Sequence, residues 1–112
     1  MSNFVLRSEE HLIGSGHVSL KQRQGLFWGM FHGELYVTDQ RICFYMEMTG
    51  STVLDLPLSE LKGYSVGYSF FLTAVRIYSW EGKEYKITGA PAKEVQEWLR
   101  QAGVPLIENE KN

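Results

Sequence analysis

Residues 33–45, GELYVTDQRICFY, constrain this chain more than any other stretch. Leu35 and Val37 alternate with Tyr36 and Thr38, and Ile42 and Phe44 alternate with Cys43 and Tyr45. A period of two, rich in β-branched and aromatic residues, predicts a half-buried antiparallel strand pair. Asp39-Gln40 supplies the turn, since Asp can hydrogen-bond its own backbone there. A chain organised round such a hairpin is expected to be mainly β.

The flanking sequence agrees. Residues 17–23 alternate and predict a first strand, which Gln24-Gly25 breaks. Leu26-Phe27-Trp28-Gly29-Met30-Phe31 follows as an apolar run with a glycine inside it. Residues 46–51, with Gly50, read as a turn; residues 52–56 read as a strand that Pro57 ends. Residues 59–61 make one helical turn at most. Residues 63–68 alternate, with Tyr64, Val66 and Tyr68 on one face as barrel residues. Residues 71–78 predict a further strand with Val75 and Ile77 inward; Glu81-Gly82-Lys83 is a hairpin turn, and Tyr85 and Ile87 continue beyond it. Gly14-Ser15-Gly16 reads as a connector, and residues 1–10, mixed in character, as a lead-in.

At Pro91 the period changes. Pro91 suits a first helical position, and Val95, Trp98, Leu99 and Ala102 then form one apolar stripe. Gly103 reads as a left-handed cap, and Pro105 prevents continuation. A helix with one apolar face must lie on something. The expected fold is therefore about seven antiparallel strands in a small bent barrel or sandwich, closed by the C-terminal helix with Trp98 as its plug.

A length of 112 residues fits one domain, expected over residues 9–104, with a lead-in at 1–8 and a polar tail at 105–112. Apolar content of 44% and aromatic content of 13% suffice for a core. A net charge of -2 argues against a nucleic-acid binder. No apolar run approaches membrane-spanning length, and the N-terminal residues lack a signal-peptide pattern. Cys43 is the sole cysteine, which fits a reducing cytoplasm; inside a strand it reads as a packed thiol rather than a nucleophile.

Catalysis finds little support. His11, His17 and His32 are scattered and none has an acid at helical spacing; no metal site, cofactor or small-molecule substrate is expected. Glu9-Glu10 reads as a solvated pair, and neither a Gly-x-Ser-x-Gly elbow nor a phosphate-cradling glycine loop is present.

Gly33, Leu35, Tyr36, Val37, Thr38, Arg41, Ile42, Cys43, Phe44 and Tyr45 resemble the central motif of GRAM domains, within the pleckstrin-homology-like superfold. Glu9-Glu10, the step Leu56-Pro57-Leu58-Ser59-Glu60-Leu61, the hairpin residues Gly82, Lys83, Tyr85 and Ile87, and the terminal helix are similar to that family too. The resemblance spans residues 9–102. It implies a non-catalytic module that binds phospholipid head groups or other proteins.

Residues 11–33 hold Lys21, Arg23 and all three histidines, with no acid. If residues 26–31 form the tip of the first hairpin, a basic stem carries an apolar, Trp-bearing end suited to a membrane interface. Lys21 and Arg23 would then meet phosphates, Phe27 and Trp28 would insert, and Arg41 is a further head-group candidate. Arg41 reads equally as an ion-pair partner of Asp39 or Asp55. If the run instead starts the second strand, Phe31 shares a face with Leu35 and Val37 and only part of it is exposed. Leu26, Phe27, Trp28, Met30 and Phe31 are also candidates for a protein contact, with a partner or another copy. Trp80, beside a turn, reads as a rim or interface residue.

Overall fold

A computed structural model describes residues 4–24, 27–69 and 72–107, and the side chains of all of these except 23, 24, 27, 28, 69 and 72. Seven strands form one antiparallel sheet in the order β4-β3-β2-β1-β7-β6-β5. They are β1 (Leu12–Gln24), β2 (Phe27–Thr38), β3 (Arg41–Met46), β4 (Thr52–Pro57), β5 (Leu61–Ser69), β6 (Leu72–Ser79) and β7 (Glu84–Thr88). A 3-10 turn at Leu58–Glu60 joins β4 to β5, and helix α1 (Ala92–Gln101) follows β7. This is the expected architecture.

The predicted hairpin is β2–β3, with Gly33 opposite Met46 and Val37 opposite Ile42. Leu35, Val37, Ile42 and Phe44 are fully buried. They meet Val18, Leu20, Leu54, Val66, Val75, Ile77, Tyr85 and Ile87 in one cluster. Strands from both ends of the sheet thus share a core, so the sheet must curl round it. Burying each large aliphatic side chain contributes about 1.5–3 kcal/mol.

The half-buried expectation fails for β3, whose outer side is also covered: Cys43 is 0% and Tyr45 9% exposed. Residues before β1 supply the cover. The Phe4 ring stacks on Tyr36 at 4.2 Å and meets Tyr45 edge-on at 6.2 Å. Gly33 allows the close approach of β2 to β3, because a Cβ there would lie 2.0 Å from the Tyr45 carbonyl oxygen.

Three expectations change. Gly14-Ser15-Gly16 is not a connector but the start of β1, reaching back to Leu12. Trp98 is not the central plug: Ala92, Val95 and Leu99 are the buried helix residues, while Trp98 is half-buried at their side. Its indole fills the space that the side-chain-free Gly14 leaves, a Cβ there falling 2.2 Å from Trp98 Cε2. Tyr68 alternates in step with the buried Tyr64 and Val66 but is 63% exposed, since it stands near the end of β5, beyond the core.

The helix lies on β1, β5 and β6. Gly103 follows it at φ +88°, a left-handed geometry glycine adopts without strain. The chain then runs beside β5. Tyr64 N donates to Pro105 O at 2.9 Å, and Ile107 N donates to Tyr64 O at 2.8 Å.

Candidate functional site

The first hairpin outruns its neighbours. β1 and β2 pair from Leu12–Thr38 out to Gln24–Phe27. β3 pairs with β2 only from Gly33 inward, and β7 pairs with β1 only over Ser19 to Gln22. An arm of paired backbone is left with no further strand beside it. Leu26 lies outside the described residues, as do the side chains of Arg23, Phe27 and Trp28. In backbone register, Arg23 is opposite Trp28.

Pleating turns alternate side chains to opposite faces. Val18 and Leu20 face the core, so His17, Ser19 and Lys21 face outward. Their partners on β2 are Glu34, His32 and Met30. Met30 is 55% exposed, whereas Phe31, on the other face, packs against the core. Residues 27–31 thus start the second strand, and Phe31 is partly buried there, packed against the core.

Polar contacts bind the middle of this face. Ser19 Oγ and His32 Nδ1 lie 2.8 Å apart, and His17 Nε2 lies 3.1 Å from Glu47 Oε1. Glu47 N donates to His32 O at 3.1 Å, fixing the β3–β4 turn beside the hairpin. His11 is elsewhere, with its Nδ1 3.1 Å from Asp39 Oδ2.

Arg41 lies in quite different surroundings. Its side chain is 6% exposed at the start of β3. Nε donates to Glu10 Oε2 at 2.8 Å and Nη2 to Glu10 Oε1 at 3.1 Å. Nη1 donates to Asp55 Oδ2 at 3.2 Å and Nη2 to Val5 O at 3.0 Å. The Phe4 ring covers the guanidinium at 5.0 Å. A head group could reach Arg41 only by displacing these partners, so the head-group reading of Arg41 gives way to the ion-pair reading. Asp55 is one of the partners; Asp39 is not.

The larger partner is Glu10, which sequence reasoning took for a solvated residue. Its side chain is 0% exposed. It also accepts from Arg7 N at 2.8 Å and from Thr38 Oγ1 at 2.6 Å. The Arg41 bonds above all, then those from Arg7 and Thr38, outweigh burial and hold its pKa at about 2 against an ordinary 4.5. Thr38 Oγ1 in turn accepts Gln40 N–H and Arg41 N–H, closing the β2–β3 turn. Glu9, the residue before Glu10, holds a left-handed φ of 64°. Such a backbone costs about 1–2 kcal/mol.

Much of the central motif is therefore structural: a closed turn, a buried ion pair and an aromatic stack. Cys43 belongs to the same layer. Burial, then the adjacent Asp55 carboxylate, pushes its thiol up to about 12. A thiol so buried is a poor nucleophile. Among the described residues, no group of His, Cys, Asp and Glu side chains could hold a metal ion. No helix among them is long and apolar enough to cross a membrane. Trp80, in the β6–β7 turn, is 68% exposed.

No family model matches this sequence, and no curated protein sequence does. Solved structures do match. The Vps36 N-terminal PH domain superposes with a TM-score of 0.67 at 19% identity, covering 88% of this chain and 83% of that one. The PH domain of human pleckstrin homology domain-containing protein family A member 5 gives 0.56 at 13% identity, covering 99% and 93%. The hSac2 domain from human phosphoinositide phosphatase Sac2 gives 0.56 at 14% identity, covering 96% and 82%. The fold is pleckstrin-homology-like.

Proposed function

We propose that this protein is a non-catalytic interaction module of GRAM type that binds anionic membrane surfaces through its first hairpin, at the cytoplasmic side. The observation that carries this reading is the free arm of β1–β2. It extends past both flanking strands, and at its base, where β7 still pairs with β1, the outer face presents Lys21 and the 55% exposed Met30. Arg23, Phe27 and Trp28 lie further along the same arm.

Each cation near an anionic surface contributes about 1 kcal/mol, and each inserted apolar side chain about 1.5–3 kcal/mol before entropy losses. One copy would therefore bind weakly and several copies together strongly. Sedimentation with phosphatidylserine vesicles tests this. Pelleting should fall with added salt and with Trp28→Ala. Pelleting that ignores both would reject the reading.

The second reading is a protein-docking or self-associating module using residues 26–31. The exposure of Met30 at the arm favours it equally. Light scattering after size exclusion decides between them: a dimer or larger species that leaves vesicles untouched supports the second reading.

A further inference from the structure

Strand β5 ends the sheet, with β6 on one side of it. On the other side the chain's own C-terminal segment lies parallel to it, bridged at Tyr64 and Leu106. Tyr64 N donates to Pro105 O at 2.9 Å, and Ile107 N donates to Tyr64 O at 2.8 Å. The Ile107 side chain rests where Gly63 has none, a Cβ there falling 2.5 Å from Ile107 Cγ1. The segment is lightly held. Val104 is the last buried residue among those described, whereas Leu106 and Ile107 are 52% and 44% exposed. Residues 105–107 can therefore lift while the core stays closed.

The strand beneath has a symmetry of its own. Residues 64–68 read Tyr-Ser-Val-Gly-Tyr, large and small alternating, the same in both directions about Val66. A two-fold axis sets a strand antiparallel to its own copy, so such a strand is complementary to itself. Main-chain groups of alternate residues point the same way, so Val66 and Tyr68 turn theirs to the side where Tyr64 meets the tail. In a pair centred on Val66, Tyr64 stands opposite Tyr68 of the other copy and Val66 opposite Val66. These are the hydrogen-bonded positions, where Cα atoms lie about 5.5 Å apart and large side chains fit. Ser65 stands opposite Gly67 at the closer positions, about 4.5 Å apart, where small residues fit. Residues 64–68 carry no charge, so like charges do not oppose one another. Tyr68, 63% exposed in the single chain, gains Tyr64 of the other copy as a cross-strand neighbour.

We infer that β5 is a pairing strand for a second copy of this chain, and that residues 105–107 gate it by occupying Tyr64. This is separate from self-association through residues 26–31: the seam is β5, and it forms where the tail has lifted.

Light scattering after size exclusion, over a range of loading concentrations, reads the dimer. Ile107→Pro removes the N–H that Tyr64 O accepts, and Gly63→Ala evicts the tail sterically. Losing one hydrogen bond opens each tail about fivefold, and both copies must open, so Ile107→Pro should favour the dimer about 25-fold. Gly63→Ala should act in the same direction. Adding Tyr68→Lys, at an exposed position, should return either variant to monomer. Met48→Lys, 89% exposed in the β3–β4 turn, makes the same change in charge and should leave the dimer alone. Three results overturn the inference. If Ile107→Pro and Gly63→Ala both associate no more readily than wild type, the tail gates nothing. If Met48→Lys and Tyr68→Lys weaken the dimer equally, net charge alone acts. If the dimer survives Tyr68→Lys and is lost with Trp28→Ala, the seam is the first hairpin.

Discussion

Replacing Glu10 by Gln keeps its size and removes its charge. Gln has only one acceptor oxygen, and its amide nitrogen would face donors. Glu10 now receives hydrogen bonds from Arg7 N, Thr38 Oγ1, Arg41 Nε and Arg41 Nη2. Two estimates of the cost agree. The displacement of its pKa from 4.5 to about 2, at about 1.4 kcal/mol per tenfold change in proton affinity, is worth about 3 kcal/mol. Removing one partner of a buried ion pair costs about 3–5 kcal/mol. Glu10→Gln should therefore lower stability by about 3 kcal/mol at neutral pH, a fall in melting temperature on the order of 10–20 °C. The sign with pH follows from the folded pKa lying below the unfolded one. Between pH 4.5 and about 2 the unfolded chain binds more protons, so the stabilisation is complete above 4.5 and drains away as the pH falls. About 2 kcal/mol of it should be gone by pH 3. Urea unfolding of wild type and variant from pH 7 to pH 3 measures the gap directly. The gap should narrow as the pH falls. A gap that stays constant over that range, or one below about 0.5 kcal/mol at pH 7, would refute the ion-pair account.

Further outcomes follow from the same coordinates. Gly33→Ala should unfold the domain or cost several kcal/mol in urea, since the new Cβ would meet the Tyr45 carbonyl oxygen at 2.0 Å, backbone against backbone. Gly14→Ala should be survivable, because the obstacle is the Trp98 side chain; a red-shifted tryptophan emission and a loss of about 1–3 kcal/mol are expected. The Cys43 thiol, pushed up to about 12, should react with a thiol reagent only as fast as the protein opens, so the labelling rate should rise with urea in step with unfolding.

How much of this could be read beforehand depended on the distance between cause and effect along the chain. The β2–β3 hairpin was legible because alternation and turn chemistry are local, and Val75, Ile77, Val95 and Leu99 were placed correctly by period alone. Glu10 was misread because its partner Arg41 lies 31 residues away, and an acid in a polar segment looks solvated until the fold closes on it. Gly14 and Gly16 look like a connector for a similar reason: a glycine that makes room for an indole cannot be told from one that supplies flexibility. Tyr68 kept the right phase but lay past the end of the core, a matter of strand length rather than pattern.

The short pairing of residues 105–107 with Tyr64 has a bearing on solubility. An open sheet has two flanks, and each offers backbone groups to any passing chain. One flank, β4, carries Asp55 and ends in Pro57, which disfavour added strands. The other, β5, carries Tyr64, Val66 and Tyr68 and has no acid of its own; its protection at Tyr64 is the returning C-terminal segment. Cutting the chain after Val104, the last buried residue of the core, would leave that strand as a template for aggregation while the enclosed core kept its members.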